Sequence, residues 1–145
     1  MRERKILGEE KWKKYLKAGC YQYAIDYFSN EFLKVGDIIG KSCNEYVSDK
    51  YLIGILREEL RFLRYEPKEI ETDTIVSKGD KKIYLQRSEH TGYYHFLKQD
   101  INGIWSHKFP GEMPITVDSY GQEIEDPESM IDAPFYGWCF CLKRS

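Results

Sequence analysis

At 145 residues the chain is sized for one domain around one core, so residues 1–145 are expected to form a single unit. Its 41% hydrophobic and 32% charged residues describe a folded globular chain, not a disordered one. A formal net charge of −2 with mixed signs and no basic stripe argues against nucleic acid as a partner. The uncharged run from Ala133 to Leu142 is too short to span a bilayer, so no membrane partner is expected. Met1-Arg2-Glu3-Arg4-Lys5 leads into a charged helical pattern, without the apolar stretch of a cleaved signal peptide. The expected location is the cytoplasm, or the exterior by a route without a cleaved signal.

The first half reads as helical. Glu9 to Lys17 predicts a short helix with Trp12, Tyr15 and Leu16 on one side, broken at Ala18-Gly19. Cys20 opens a second helix, with Cys20, Tyr23, Ala24, Tyr27, Phe28 and Leu33 at near-helical spacing. Gly36 and Gly40 mark a loop. A third helix starts at Ser48, a side chain suited to an N-cap, carries Leu52, Ile55, Leu56, Leu60 and Leu63 on one face, and stops at Pro67.

From Glu69 the period changes to two, which predicts strands. Ile70, Thr72, Thr74 and Val76 alternate with mostly polar neighbours, Gly79-Asp80 turns the chain, and Lys82 to Gln86 follows. Gly92 to Lys108 reads as a β-hairpin about Asn102-Gly103. The segment from Pro114 to Ala133 is rich in turn residues and acids, with one helical turn capped by Asp126 and carrying Pro127 at its first position. Pro134 to Leu142 forms a last aromatic strand. Helices first and strands afterwards predict an α+β fold, with N-terminal helices packed on an antiparallel sheet. The twelve tyrosines fit a Tyr-rich sheet more readily than a Tyr-lined cleft.

The reactive side chains are few. Cys139 and Cys141 share one face of the last strand and read as buried thiols. With no CxxC or HxxxH spacing the chain offers no zinc site, and no cofactor is implied. Cys43 lies in a polar loop. Cys20 differs, because it follows a glycine at a helix start, where a thiolate is favoured and where its own N–H has no intrahelical partner to bond. His95 and His107 stand on opposite strands of the hairpin, in a register that places them near each other, while His90 lies in a polar surface loop. A cysteine at a helix start, a histidine on a strand and a polar residue on the next strand can act as nucleophile, base and orienter. Gln99, Asp100 and Asp118 are alternatives to His107 as the third member.

The run Cys20-Tyr21-Gln22-Tyr23-Ala24, then Val35-Gly36-Asp37 and Gly40, then Tyr93-Tyr94-His95-Phe96 and Trp105-Ser106-His107-Lys108, resembles the papain-like cysteine amidases and peptidases, closest in style to the NlpC/P60 and CHAP groups. The resemblance implies a papain-like fold and catalysis by Cys20, His95 and His107. The implied reaction is hydrolysis of a peptide-type amide in a peptide or protein substrate, with transfer to an amine or glutamine deamidation open to the same groups. Gly19 departs from the Asp, Asn or Gln that often precedes the nucleophile, which leaves the second oxyanion donor unassigned. The alternative expectation is a noncatalytic protein-binding module, with the acidic segment from Asp118 to Asp132 facing its partner.

Overall fold

A computed structural model describes residues 5–130 and 134–145. The readings of Met1 to Arg4 and of residues 131–133 lie outside the described residues. Local sequence signals set the longest helix. Ser48 caps it through Oγ, which accepts from the Tyr51 N–H at 3.1 Å. The helix, α2, runs Asp49–Phe62 and buries Leu52, Ile55, Leu56 and Leu60 along one face. It ends before Pro67 because Arg64 adopts a left-handed conformation (φ 69°) and turns the chain into β1, Tyr65–Ile70.

Pro67 therefore sits inside a strand. It is tolerated there because β1 is at a sheet edge, where a missing N–H breaks no central ladder. The strand expected from Glu69 to Val76 is thus displaced towards the N-terminus. Residues beyond Ile70 form turns and irregular backbone, Ile75 is almost fully exposed, and the alternation leaves Thr72 and Val76 only half-buried and Thr74 exposed.

Four more strands follow: β2 Lys81–Ser88, β3 Tyr94–Gln99, β4 Trp105–Ser106 and β5 Phe135–Arg144. They form one antiparallel sheet in the order β1-β5-β2-β3-β4. On one face, Ile83, Leu85, Phe96, Phe140 and Leu142 pack against α2 and against α1, Cys20–Ile25. Each such buried aliphatic or aromatic side chain contributes about 1.5–3 kcal/mol. The other face carries Tyr84, Leu97, Trp105 and Cys139, covered by Ile124 from the turn-rich segment. The fold is α+β, as expected.

Two helices differ from expectation. Glu9–Tyr15 is a 3-10 helix, entered from Gly8 in a left-handed conformation (φ 73°), with Trp12 buried. The helix from Cys20 does not reach Leu33 but ends at Ile25, where Asp26 turns left-handed (φ 54°). Tyr27 and Phe28 keep their apolar role without the helix. Phe28 packs its ring on Trp12 and Tyr15.

Cys139 and Cys141 are buried free thiols, and Cys43 is buried too. The Asp126 cap forms as expected, accepting from the Glu128 N–H at 3.0 Å with Pro127 at the first position. Among the described residues no helix is long and apolar enough to cross a membrane.

Candidate active site

The hairpin brings the two histidines together. His95 lies on β3, and His107 follows β4, held by a bridge to Ile115. His95 Nε2 and His107 Nδ1 are 2.7 Å apart, and His107 Nε2 is 2.8 Å from the Val117 carbonyl oxygen. A carbonyl can only accept, so His107 Nε2 carries the proton. In a neutral His107, Nδ1 is then an acceptor, and His95 must donate to it from Nε2. The chain of bonds leaves His95 Nδ1 as an unprotonated base. Phe109 stacks on the His95 ring, with centroids 4.9 Å apart and planes 16° apart.

The other proposed third members are occupied elsewhere. Asp100 Oδ1 accepts from the Asn102 and Ile104 N–H groups and closes the hairpin turn. Gln99 Nε2 donates to the Gly103 carbonyl. Asp118 Oδ1 accepts from the Tyr120 and Gln122 N–H groups. Of the candidates, His107 is the one that touches His95. His90 is exposed in the turn after β2.

Cys20 opens α1, which packs along β3. Gln22 fixes this start: its Oε1 accepts from the Gly19 and Leu33 N–H groups at 2.7 and 2.9 Å, and its Nε2 donates to the Glu31 carbonyl at 2.6 Å. The loop after α1 is thereby folded back beside the cysteine. β4 pairs only with Lys98 and Gln99, so the outer edge of β3 is free near Phe96. The Cys20 sulfur meets that edge, facing the backbone N–H of Phe96, the residue after His95. Among the described residues the thiol makes no hydrogen bond to either imidazole. By strand alternation His95 points to the face away from Phe96, and the influences on each group differ: backbone N–H groups and Lys108 act on the thiol, His107 on the imidazole.

The electrostatics overturn one expectation. Burial pushes the Cys20 thiol up to about 11, against the pull of the N–H groups of Phe96, Tyr21 and Cys20 and of the Lys108 ammonium. A helix of only six residues does not offset that desolvation. Burial, and then the neighbouring His107, push His95 down to about 3. Near neutral pH the pair is therefore an uncharged thiol and an uncharged imidazole.

The sequence reading missed Lys108. It is fully buried, and its ammonium donates to the carbonyls of Leu16 at 2.8 Å, Ala18 at 2.5 Å and Phe109 at 3.4 Å. Its signal was the alternation after Trp105. Trp105 and His107 face one side, and Ser106, bonded to Tyr23 of α1 at 2.6 Å, faces the other with Lys108.

No cluster of His, Cys, Asp or Glu among the described residues could hold a metal ion. A cavity of about 530 Å³ lies between the residue 72–80 loop and the hairpin turn, with none of the three proposed catalytic residues in its lining.

Comparison with curated proteins finds insoluble matrix shell protein 1 of Ruditapes philippinarum, 30% identical over 122 residues, which span 82% of this chain and 76% of that protein. The chain belongs to the family of this shell protein. No family model matches it, and no solved structure does. The matched length covers most of the domain, so relative and chain share more than a short motif.

Proposed function

We propose that this member of the shell-protein family is a cysteine hydrolase with a papain-like arrangement of the NlpC/P60 or CHAP kind, acting on a peptide-type amide. The observation that carries the reading is the ordered pair of histidines. The Val117 carbonyl sets the tautomer of His107, and His107 sets that of His95. A merely structural hairpin has no need of a base whose free nitrogen is defined through two successive bonds.

The chemistry follows from the uncharged pair. Cys20 Sγ attacks the amide carbonyl carbon while its proton passes to His95 Nδ1. The imidazolium so formed is supported through Nε2–H by His107. The backbone N–H of Cys20 is the proposed oxyanion donor. The C–N bond breaks as His95 returns the proton to the leaving amine, which leaves a thioester on Cys20. Water, deprotonated by His95, cleaves the thioester and releases the acid. An amine in place of water would give transfer. Bonds between such groups are commonly long before substrate binds, and substrate is expected to draw thiol and imidazole together.

The test is a burst assay with p-nitrophenyl acetate and mass mapping of the acetylated residue. Acetylation of Cys20 that is lost in His95→Ala supports the reading. Acetylation spread over other groups, or indifferent to His95→Ala, overturns it.

A second reading is favoured by the relative's name, insoluble matrix shell protein. The chain would then be a noncatalytic protein-binding component of a matrix, and the exported arm of the expected location would hold. Its mark in the same assay is a Cys20 no more reactive than Cys43, Cys139 and Cys141.

A further inference from the structure

We propose that Lys108 is a positioning residue for the Cys20 nucleophile, a fixed buried cation that ties the turn before Cys20 to the segment after His107 and favours the thiolate. The inference rests on the reading of Cys20 as the nucleophile.

Lys108 is fully buried, yet among the described residues no carboxylate lies within ion-pair distance of it. Of the other well-buried cations, Arg87 and Lys98 hold Asp49 and Asp26 respectively at 2.7 and 2.8 Å, while Lys82 donates to the Thr74 carbonyl at 2.8 Å. An ammonium has three N–H donors and no acceptor. All three of these donors have a carbonyl partner, two of them on the residue 16–18 turn and one on Phe109. The charge is therefore held in place, and among the described residues no carboxylate pairs with it.

Placement supplies the second link. Leu16 and Ala18 lead directly into Gly19 and Cys20, and Lys108 follows His107. One side chain thus joins the two chain segments that supply nucleophile and orienter. A neutral hydrogen-bond donor could satisfy carbonyls without the desolvation cost that a buried ammonium carries. What a charge adds is its field. The group near enough to respond is the Cys20 thiol, whose ionisation Lys108 favours and whose thiolate in turn favours the protonated lysine. Of the other ionisable groups, Glu112 also favours the lysine cation, and burial disfavours it. On the far side of the site, His95 is uncharged near neutral pH, so it does not compete for the field.

The experiment compares Cys20 alkylation by iodoacetamide, mapped by mass, at pH 8 in wild type, Lys108→Met and Lys108→Arg. The rate below the thiol pKa follows the thiolate fraction. Loss of the cation lowers that fraction, so labelling slows. The expected result is Cys20 labelling slowed in Lys108→Met and largely restored in Lys108→Arg, with Cys43, Cys139 and Cys141 unchanged. Equal Cys20 rates in a folded Lys108→Met overturn the proposal.

Should Lys108→Met fail to fold, the reciprocal measurement decides. Coupling between two sites is mutual. In Cys20→Ser, the Lys108 Nζ titration followed by NMR should move to lower pH, because the thiolate no longer favours the cation. An unmoved titration overturns the proposal. Neither readout contains a substrate or depends on His95, so failure here is distinct from failure of the hydrolase reading.

Discussion

The uncharged thiol–imidazole pair makes a sharp prediction about reactivity against pH. A free cysteine thiol near 8.5 is about 3% ionised at pH 7. With its thiol pushed up to about 11, Cys20 is ionised to only about 1 part in 10,000 at pH 7. Cys20 should therefore react with iodoacetamide about 300-fold more slowly than a free thiol at that pH, from ionisation alone. Its rate should rise about tenfold per unit between pH 7 and 10, with no plateau. His95, pushed down to about 3, loses its proton well below this range, so its titration leaves no step there. The assay is alkylation at fixed reagent and varied pH, with Cys20 resolved from the other thiols by peptide mass. A plateau beginning below pH 7 would reveal a thiolate–imidazolium pair and refute the argument that burial outweighs the N–H groups and Lys108 around the sulfur.

Three further outcomes follow from packing and charge. Glu59 is fully buried and accepts from the N–H groups of Gly36, Ile38 and Ile39, so Glu59→Ala should cost about 3 kcal/mol or more in urea denaturation. A Cβ on Gly137 would lie 2.2 Å from the Leu85 carbonyl oxygen. Because that obstacle is sheet backbone, Gly137→Ala should lower stability by about 3 kcal/mol or more, read from the same midpoint shift. Burial opposes ionisation of Asp26, but Lys98 and Lys81 outweigh it and hold the carboxyl below its usual range. A depressed carboxyl stabilises the fold above its unfolded pKa of about 3.9 and ceases to do so as pH falls through the folded value. Asp26→Asn should then cost about 1–3 kcal/mol at pH 7, less than a fully buried pair because Asp26 keeps some solvent contact. The difference from wild type should shrink as pH falls below the usual carboxyl range, as denaturation curves at pH 7 and pH 2.5 would show.

Features set by neighbouring residues were legible in the sequence. The Ser48 cap, the Leu face of α2, the Asn102-Gly103 hairpin and the Asp126 turn depend on contacts within a few residues, and each stands where the pattern placed it. The hairpin register also placed His107 beside His95. Misreadings arose where distant residues decide the outcome. Pro67 reads as a stop until β1 is known to be an edge strand. The apolar spacing through Tyr27 and Phe28 reads as helix until Gln22 is seen holding Leu33 and Glu31. The thiol pKa was misjudged because helix position is visible in a sequence and burial is not. Lys108 was hidden for the same reason, since a lysine in a hairpin is ordinarily a solvated one.

The sheet order also bears on when the helix of Cys20 can dock beside the histidine hairpin. β5 is made after β1 to β4, yet it lies between β1 and β2. Until it inserts, β1 has no partner and β2 has β3 on one side only. Long-range pairings of this kind close slowly, after local helices and hairpins have formed. The His95–His107 hairpin can form early, but α1 and its cysteine dock on a sheet completed only by β5. A ribosome-bound chain lacking β5 would carry Cys20, His95 and His107 with a sheet still missing its central pairing.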